Sequence, residues 1–161
     1  MKLIVILFSF LGLLLNTLHF EKKVSLYQSI YPYYGVLEIP TIDLQQGFYT
    51  YNAIENDVDK NIELISHNCH LKQTCNFILA SHSGNAEISY FKNLDKLKLN
   101  DKAIVYLDNQ KYYYILTEIQ YQEKKGNISL SKPKESQLVL TTCNKDKQNI
   151  QNIYIFKQEK K

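Results

Sequence analysis

Arginine is absent from this 161-residue chain, and all 19 residues in the Lys plus Arg count are lysine. No bidentate guanidinium is therefore available, which removes the rigid fork that grips a carboxylate, phosphate or developing oxyanion at two points. Cysteine is scarce at three, an odd number that leaves at least one thiol free or paired between chains. No alanine precedes Ala53, so the apolar N-terminal run lacks the Ala-x-Ala-like pattern at which a secretory signal is cut. No carboxylate lies between His67 and Cys75, which denies that segment the acidic ligands a calcium site relies on. Internal repeats and low-complexity tracts are also missing. The net charge of +3 is small and dispersed, so no nucleic acid or acidic polymer is expected as partner.

What is present begins with a hydrophobic run. Lys2 precedes an apolar stretch over residues 3–15, and the stretch as far as Phe20 is just long enough to span a bilayer. The run is apolar on every face, which argues against an amphipathic core helix. Residues 1–20 are read as an uncleaved signal anchor, a single N-terminal membrane helix at the cell membrane. Residues 21–33 form a polar and aromatic stalk. Residues 34–158 form the folded domain, placed outside the cytoplasm, and 159–161 form a tail. With no second apolar run near Lys161, no C-terminal span is expected.

Hydrophobic residues make up 45% of the chain, enough for a real core, and its 13 Tyr and 7 Phe favour β structure. Short strands are predicted at 35–40, 61–65, 77–80, 102–107, 112–117, 137–142 and 153–156. Pro40 suits the first of these to an edge or entry position. Residues 41–44 are expected to continue extended, with a turn at Gln45-Gln46-Gly47. Residues 108–111 read as a hairpin connection. Phe91, Leu94 and Leu97 recur at helical spacing, which predicts one short helix, and Asn100 supplies a left-handed position after it. The expectation is an all-β domain, a small closed barrel or sandwich.

The definite chemistry lies at the ends of two predicted strands. Cys143 closes Leu138-Val139-Leu140-Thr141-Thr142, and His82 follows Phe77-Ile78-Leu79-Ala80-Ser81. A thiol and an imidazole held by stiff elements are the minimal parts of a thiol acyl-transfer site. Taken singly, Cys143 reads as a buried inert thiol and His82 as a polar loop residue. Cys69 and Cys75 form either a local disulfide, leaving Cys143 as the odd thiol, or part of an inert exposed loop. A metal site built from His67, Cys69, His70 and Cys75 fits no standard zinc spacing, so no metal and no cofactor is expected.

These segments together resemble the sortases, cysteine transpeptidases that attach proteins to Gram-positive cell surfaces. Leu37-Glu38-Ile39-Pro40-Thr41-Ile42 resembles the family's opening Leu-x-Ile-Pro-x-Ile strand. Ile78-Leu79-Ala80-Ser81-His82-Ser83 resembles the segment that carries the catalytic histidine. Phe91, Leu94, Leu97 and the Asn100-Asp101 pair resemble the helix and Gly-Asp turn that follow it. Val139-Leu140-Thr141-Thr142-Cys143 resembles the Thr-Leu-x-Thr-Cys strand, with Val139 for its first threonine. Four such matches occur in the family's order.

The resemblance implies a closed eight-stranded β-barrel with one or two short helices and with His82 and Cys143 at one rim. It also implies cleavage of a Leu-Pro-x-Thr-Gly-like sorting signal of surface proteins through a thioacyl intermediate, then transfer to an amine acceptor of cell-wall or pilus type. The family's arginine would fall at Gln151 or at Asn152. Gln151 shares a strand face with Ile153 and Ile155, and its amide offers a hydrogen bond without charge. Lys145 or Lys147 are the nearby sources of charge. Thr142 is placed to orient substrate. The alternatives are a degenerate sortase fold that binds sorting signals without efficient turnover, and an exported structural β domain.

Overall fold

The computed structural model describes residues 33–159, and Tyr34 opens the compact unit Tyr34–Lys161. The expected anchor and nearly all of the expected stalk lie outside the described residues. Among the described residues no helix is long and apolar enough to cross a membrane.

Eight strands form one sheet: β1 (Gly35–Ile39), β2 (Leu44–Phe48), β3 (Glu63–Leu64), β4 (Asn76–Ala80), β5 (Lys102–Leu107), β6 (Gln110–Glu123), β7 (Gln137–Cys143) and β8 (Ile150–Gln158). Their spatial order is β2-β1-β5-β6-β8-β7-β4-β3. A single parallel bridge between Phe48 and Ile62 links the two ends, so the sheet curls into a nearly closed barrel. Alternation decides what lies inside. Leu37, Ile39, Phe77, Leu79, Leu138, Leu140, Tyr114 and Phe156 are buried and fill the interior. Gly35 is required where β1 crosses Phe48. A Cβ there would lie 2.5 Å from the Phe48 ring and 2.8 Å from the Tyr106 carbonyl oxygen.

Several predicted elements change in detail. The turn expected at Gln45-Gln46-Gly47 lies earlier, and those residues pair with β1 inside β2. Pro40 opens a 3-10 turn over Pro40–Ile42, and Asp43 closes it in the left-handed region with φ 52°. The fixed φ of proline suits the first position of such a turn, so residues 41–44 do not run on extended. β1 is accordingly no edge strand; it lies between β2 and β5, and Pro40 falls just past its last ladder bond. The predicted helix shrinks to turns and a 3-10 segment, Leu94–Lys96, although Phe91, Leu94 and Leu97 are buried as the stripe required. The hairpin connection is two residues long: Asp108 and Asn109 take φ 50° and 57° while Leu107 pairs with Gln110.

One pairing positions the site. β4 and β7 run parallel, with Ala80 opposite Thr141, whereas the other named strand pairs are antiparallel. Parallel neighbours bring their C-terminal ends to the same rim. The segments that leave β4 and end β7 carry His82 and Cys143.

Candidate active site

Continuing the β4–β7 register two residues beyond Ala80–Thr141 sets His82 opposite Cys143. Hydroxyl groups extend the ladder there. The Ser81 amide donates to the Thr141 carbonyl at 3.4 Å, and Thr142 Oγ1 donates to the Ser81 carbonyl at 2.7 Å. Ser83 Oγ in turn donates to the Cys143 carbonyl at 2.7 Å. Ser81, Ser83 and Thr142 are all buried, so the Thr142–Ser81 bond is shielded from competing water and the Ser83–Cys143 bond partly so. Each strand thus lends a hydroxyl to the other's backbone, on either side of the imidazole. The chain after His82 also folds back, because the Phe91 amide donates to the His82 carbonyl at 3.1 Å.

Cys143 is the free cysteine, and it is exposed. The His82 side chain is 38% exposed, and its Nε2 lies 2.9 Å from Asp59 Oδ1. Asp59 carries no motif, and sequence reasoning passed over it. It sits in the connection between β2 and β3, 23 residues before His82, where only the folded chain brings the two together.

Parity along β7 and β8 divides the remaining site residues. Thr142 pairs with Asn152, and both are buried on the side of the barrel interior. The Thr142 hydroxyl is engaged with Ser81, and Asn152 Oδ1 accepts from Asn144 Nδ2 at 2.8 Å. Asn144 Oδ1 takes the amides of Asp146 and Lys147, shaping the turn after Cys143. Cys143 instead pairs with Gln151 on the outer face, which also carries Val139, Ile153 and Ile155. Those three residues and Ile78 form a small apolar floor, against which Ile128 and Leu130 of the β6–β7 connection pack.

The same connection is tied down by glutamines. Gln122 donates to the Ser129 carbonyl at 2.7 Å and accepts from the Ser129 amide at 3.0 Å. Gln151 Nε2 donates to the Asn127 carbonyl at 3.1 Å. The amide placed across from the thiol is thereby turned toward the connection. Lys145 is also occupied, with its Nζ 2.8 Å from Asp95 Oδ2.

Cys69 and Cys75 form a disulfide. The Cys75 carbonyl accepts the Gln137 amide at 3.0 Å, so the bridge is attached at the start of β7, the end remote from Cys143. His67 packs against Tyr51 in a tilted ring contact with centroids 4.6 Å apart. No group of three or more His, Cys, Asp or Glu side chains able to hold a metal ion occurs among the described residues.

The fold defines a small β-barrel protein whose parallel β4–β7 pair brings a free cysteine and a histidine to one rim. The family model for the sortase domain matches residues 37–160, and the chain belongs to the sortase family. Sortases are cysteine transpeptidases that act on the sorting signals of surface proteins. Similar solved structures include sortase A of Listeria monocytogenes, at 20% identity and TM-score 0.67, covering 80% of this chain and 88% of that one. Sortase C-1 of Actinomyces oris is 19% identical with TM-score 0.69, covering 83% and 78% respectively. Sortase E1 of Streptomyces coelicolor, solved with a tripeptide in its active site, is 19% identical with TM-score 0.64 and coverage of 79% and 88%. No curated protein is detectably similar in sequence.

Proposed function

We propose that this protein is a membrane-anchored cysteine transpeptidase that cleaves a Leu-Pro-x-Thr-Gly-like sorting signal and passes the acyl group to an amine. The observation that carries the reading is the parallel β4–β7 register, which aligns His82 with Cys143 between two hydroxyl-to-backbone bonds, one buried and one half-buried. The Cys143 thiolate attacks the carbonyl carbon of the scissile peptide bond, and the tetrahedral adduct collapses as the carbon–nitrogen bond breaks. His82 gives its proton to the departing amine, leaving a thioester on Cys143. An acceptor amine then attacks the thioester, His82 takes the proton this nitrogen sheds, and the thiolate is released.

Residues 1–20 serve in this reading as a single-pass anchor at the cell membrane, with the barrel outside the cytoplasm. The substrates are surface-protein sorting signals, and the acceptor is of cell-wall or pilus type. Gln151 takes the place across from Cys143 that the family gives to arginine, and Thr142 holds the strand end through Ser81.

The second reading, a sortase fold that binds sorting signals without efficient turnover, is favoured by one feature. Gln151, across from the thiol on β8, is neutral and bound to Asn127, and Lys145, in the β7–β8 connection, is bound to Asp95. Incubation of the full chain with a fluorogenic Leu-Pro-x-Thr-Gly peptide library and a glycine amine separates the two. Cleavage and ligation, abolished by Cys143→Ala and by His82→Ala, support transpeptidation. Saturable peptide binding with no cleavage supports the second reading, and neither cleavage nor binding refutes both.

A further inference from the structure

Outside the thiol–imidazole pair, the Asp59 carboxylate reaches the site, 2.9 Å from His82 Nε2. Exposed ion pairs contribute little on their own, and Asp59 is 78% exposed. What distinguishes it is the backbone that presents it. Asp57 Oδ1 accepts the Asp59 amide at 2.9 Å, and the Asp57 carbonyl accepts the amides of Lys60 and Asn61. Asn61 is buried, and its Oδ1 accepts from Gln46 Nε2 on β2 at 3.0 Å. On the other side Asn56 acts as an extra strand beside β3, taking the Leu64 amide at 2.7 Å and donating to the Leu64 carbonyl at 3.0 Å. Both flanks of the turn are therefore fixed to the barrel wall, and the carboxylate is held in place before substrate arrives.

Resting on the transpeptidase reading, we propose that Asp59 is a positioning residue for His82. The carboxylate accepts a hydrogen bond from Nε2–H, which sets the ring orientation and its tautomer. Nδ1 is then the nitrogen left to exchange protons with Cys143 and with the leaving and entering amines. A ring whose two nitrogens are assigned in advance loses less freedom at the transition state. Asp59 touches no reacting atom and acts only through the imidazole.

The test records the ring nitrogens of His82 by 15N NMR in the full chain, alongside the kinetics of peptide cleavage, for Asp59→Ala and Asp59→Asn. The expected result is a proton on Nε2 in the neutral native ring and mixed tautomers in Asp59→Ala. Asp59→Asn keeps an acceptor oxygen and retains most of the native preference. Asp59→Ala lowers kcat roughly fivefold with KM unchanged. Unchanged ring-nitrogen signals in Asp59→Ala would overturn the proposal. So would a rise in kcat, since the carboxylate would then be restraining the ring away from the thiol. If the native chain cleaves no peptide, the transpeptidase reading fails by itself, and the tautomer measurement still decides the role of Asp59.

Discussion

The hydroxyl of Ser83 donates to the carbonyl of Cys143 across 2.7 Å, joining two residues 60 positions apart in the chain. It ties the segment that carries the imidazole to the residue that carries the thiol, at the point where the parallel ladder of β4 and β7 has run out. Ser83→Ala deletes this bond and leaves the half-covered carbonyl without its partner, at a cost of about 1–3 kcal/mol. Thermal unfolding should register that loss, and kcat should fall with little change in KM, because the strand end bearing the nucleophile is loosened. Ser83→Thr keeps the hydroxyl and should retain most of both. Equal activity in Ser83→Ala and the native protein would show that the bond does not position Cys143.

Gln151 stands across from Cys143 on the outer face and spends its amide on the Asn127 carbonyl. A guanidinium at this place adds a fixed charge and a second donor toward the developing oxyanion, where one donor is worth on the order of 3 kcal/mol. Gln151→Arg is therefore expected to raise kcat by about tenfold, less than that full value because it also releases the β6–β7 connection. Steady-state cleavage of a responsive peptide measures it. A fall in kcat, or none of the expected rise, would mean that residue 151 does not face the reacting carbonyl.

The disulfide between Cys69 and Cys75 closes a loop of only six residues' separation and is attached to the start of β7 through Gln137. Chain-entropy arguments give such a short bridge about 2 kcal/mol. Cys143 ends the same seven-residue strand, roughly 20 Å away along an extended chain. Replacing both Cys69 and Cys75 by serine should lower the melting temperature while leaving kcat of the folded protein intact. A proportionate loss of kcat would indicate that the bridge shapes the reactive rim.

Tyr114 is fully buried in the barrel, and burial pushes its phenol from the ordinary 10 up to about 12. Below pH 10 both folded and unfolded chains keep the proton, and the group contributes no pH dependence. Between about pH 10 and 12 the unfolded chain releases the proton while the folded chain holds it, so stability falls as pH rises. The slope contributed is about 1.4 kcal/mol per pH unit. Denaturant titrations across that window should show the decline, and Tyr114→Phe should flatten it. An unchanged slope in Tyr114→Phe would assign the alkaline loss to other groups.

Much of this molecule was legible from residue patterns, for reasons that differ by element. The apolar and aromatic runs at 102–107 and 112–117, and the hairpin connection between them, are local signals and appear in the fold. The apolar stripe of Phe91, Leu94 and Leu97 correctly marked a buried face but not a helix, since burial against a barrel wall satisfies three turns as well as one helix. The turn at Pro40 was misplaced because Gln45-Gln46-Gly47 has turn-like composition, yet its backbone groups are taken up by β1. Cys143 and His82 stood out because each closes a strong strand. Asp59, Ser83 and Asn56 did not, because their partners are chosen by tertiary placement and no short-range pattern encodes it.

In transpeptidation Cys143, aligned with His82, carries an acyl group during turnover. Intact-mass spectrometry of the full chain, quenched in acid during reaction with a Leu-Pro-x-Thr-Gly peptide, tests it most directly. The expected species is a thioester adduct of the peptide lacking its glycine portion, mapped to Cys143, discharged by an added amine and absent from Cys143→Ala. Peptide cleavage that proceeds without any adduct on Cys143, or that survives Cys143→Ala, would contradict it.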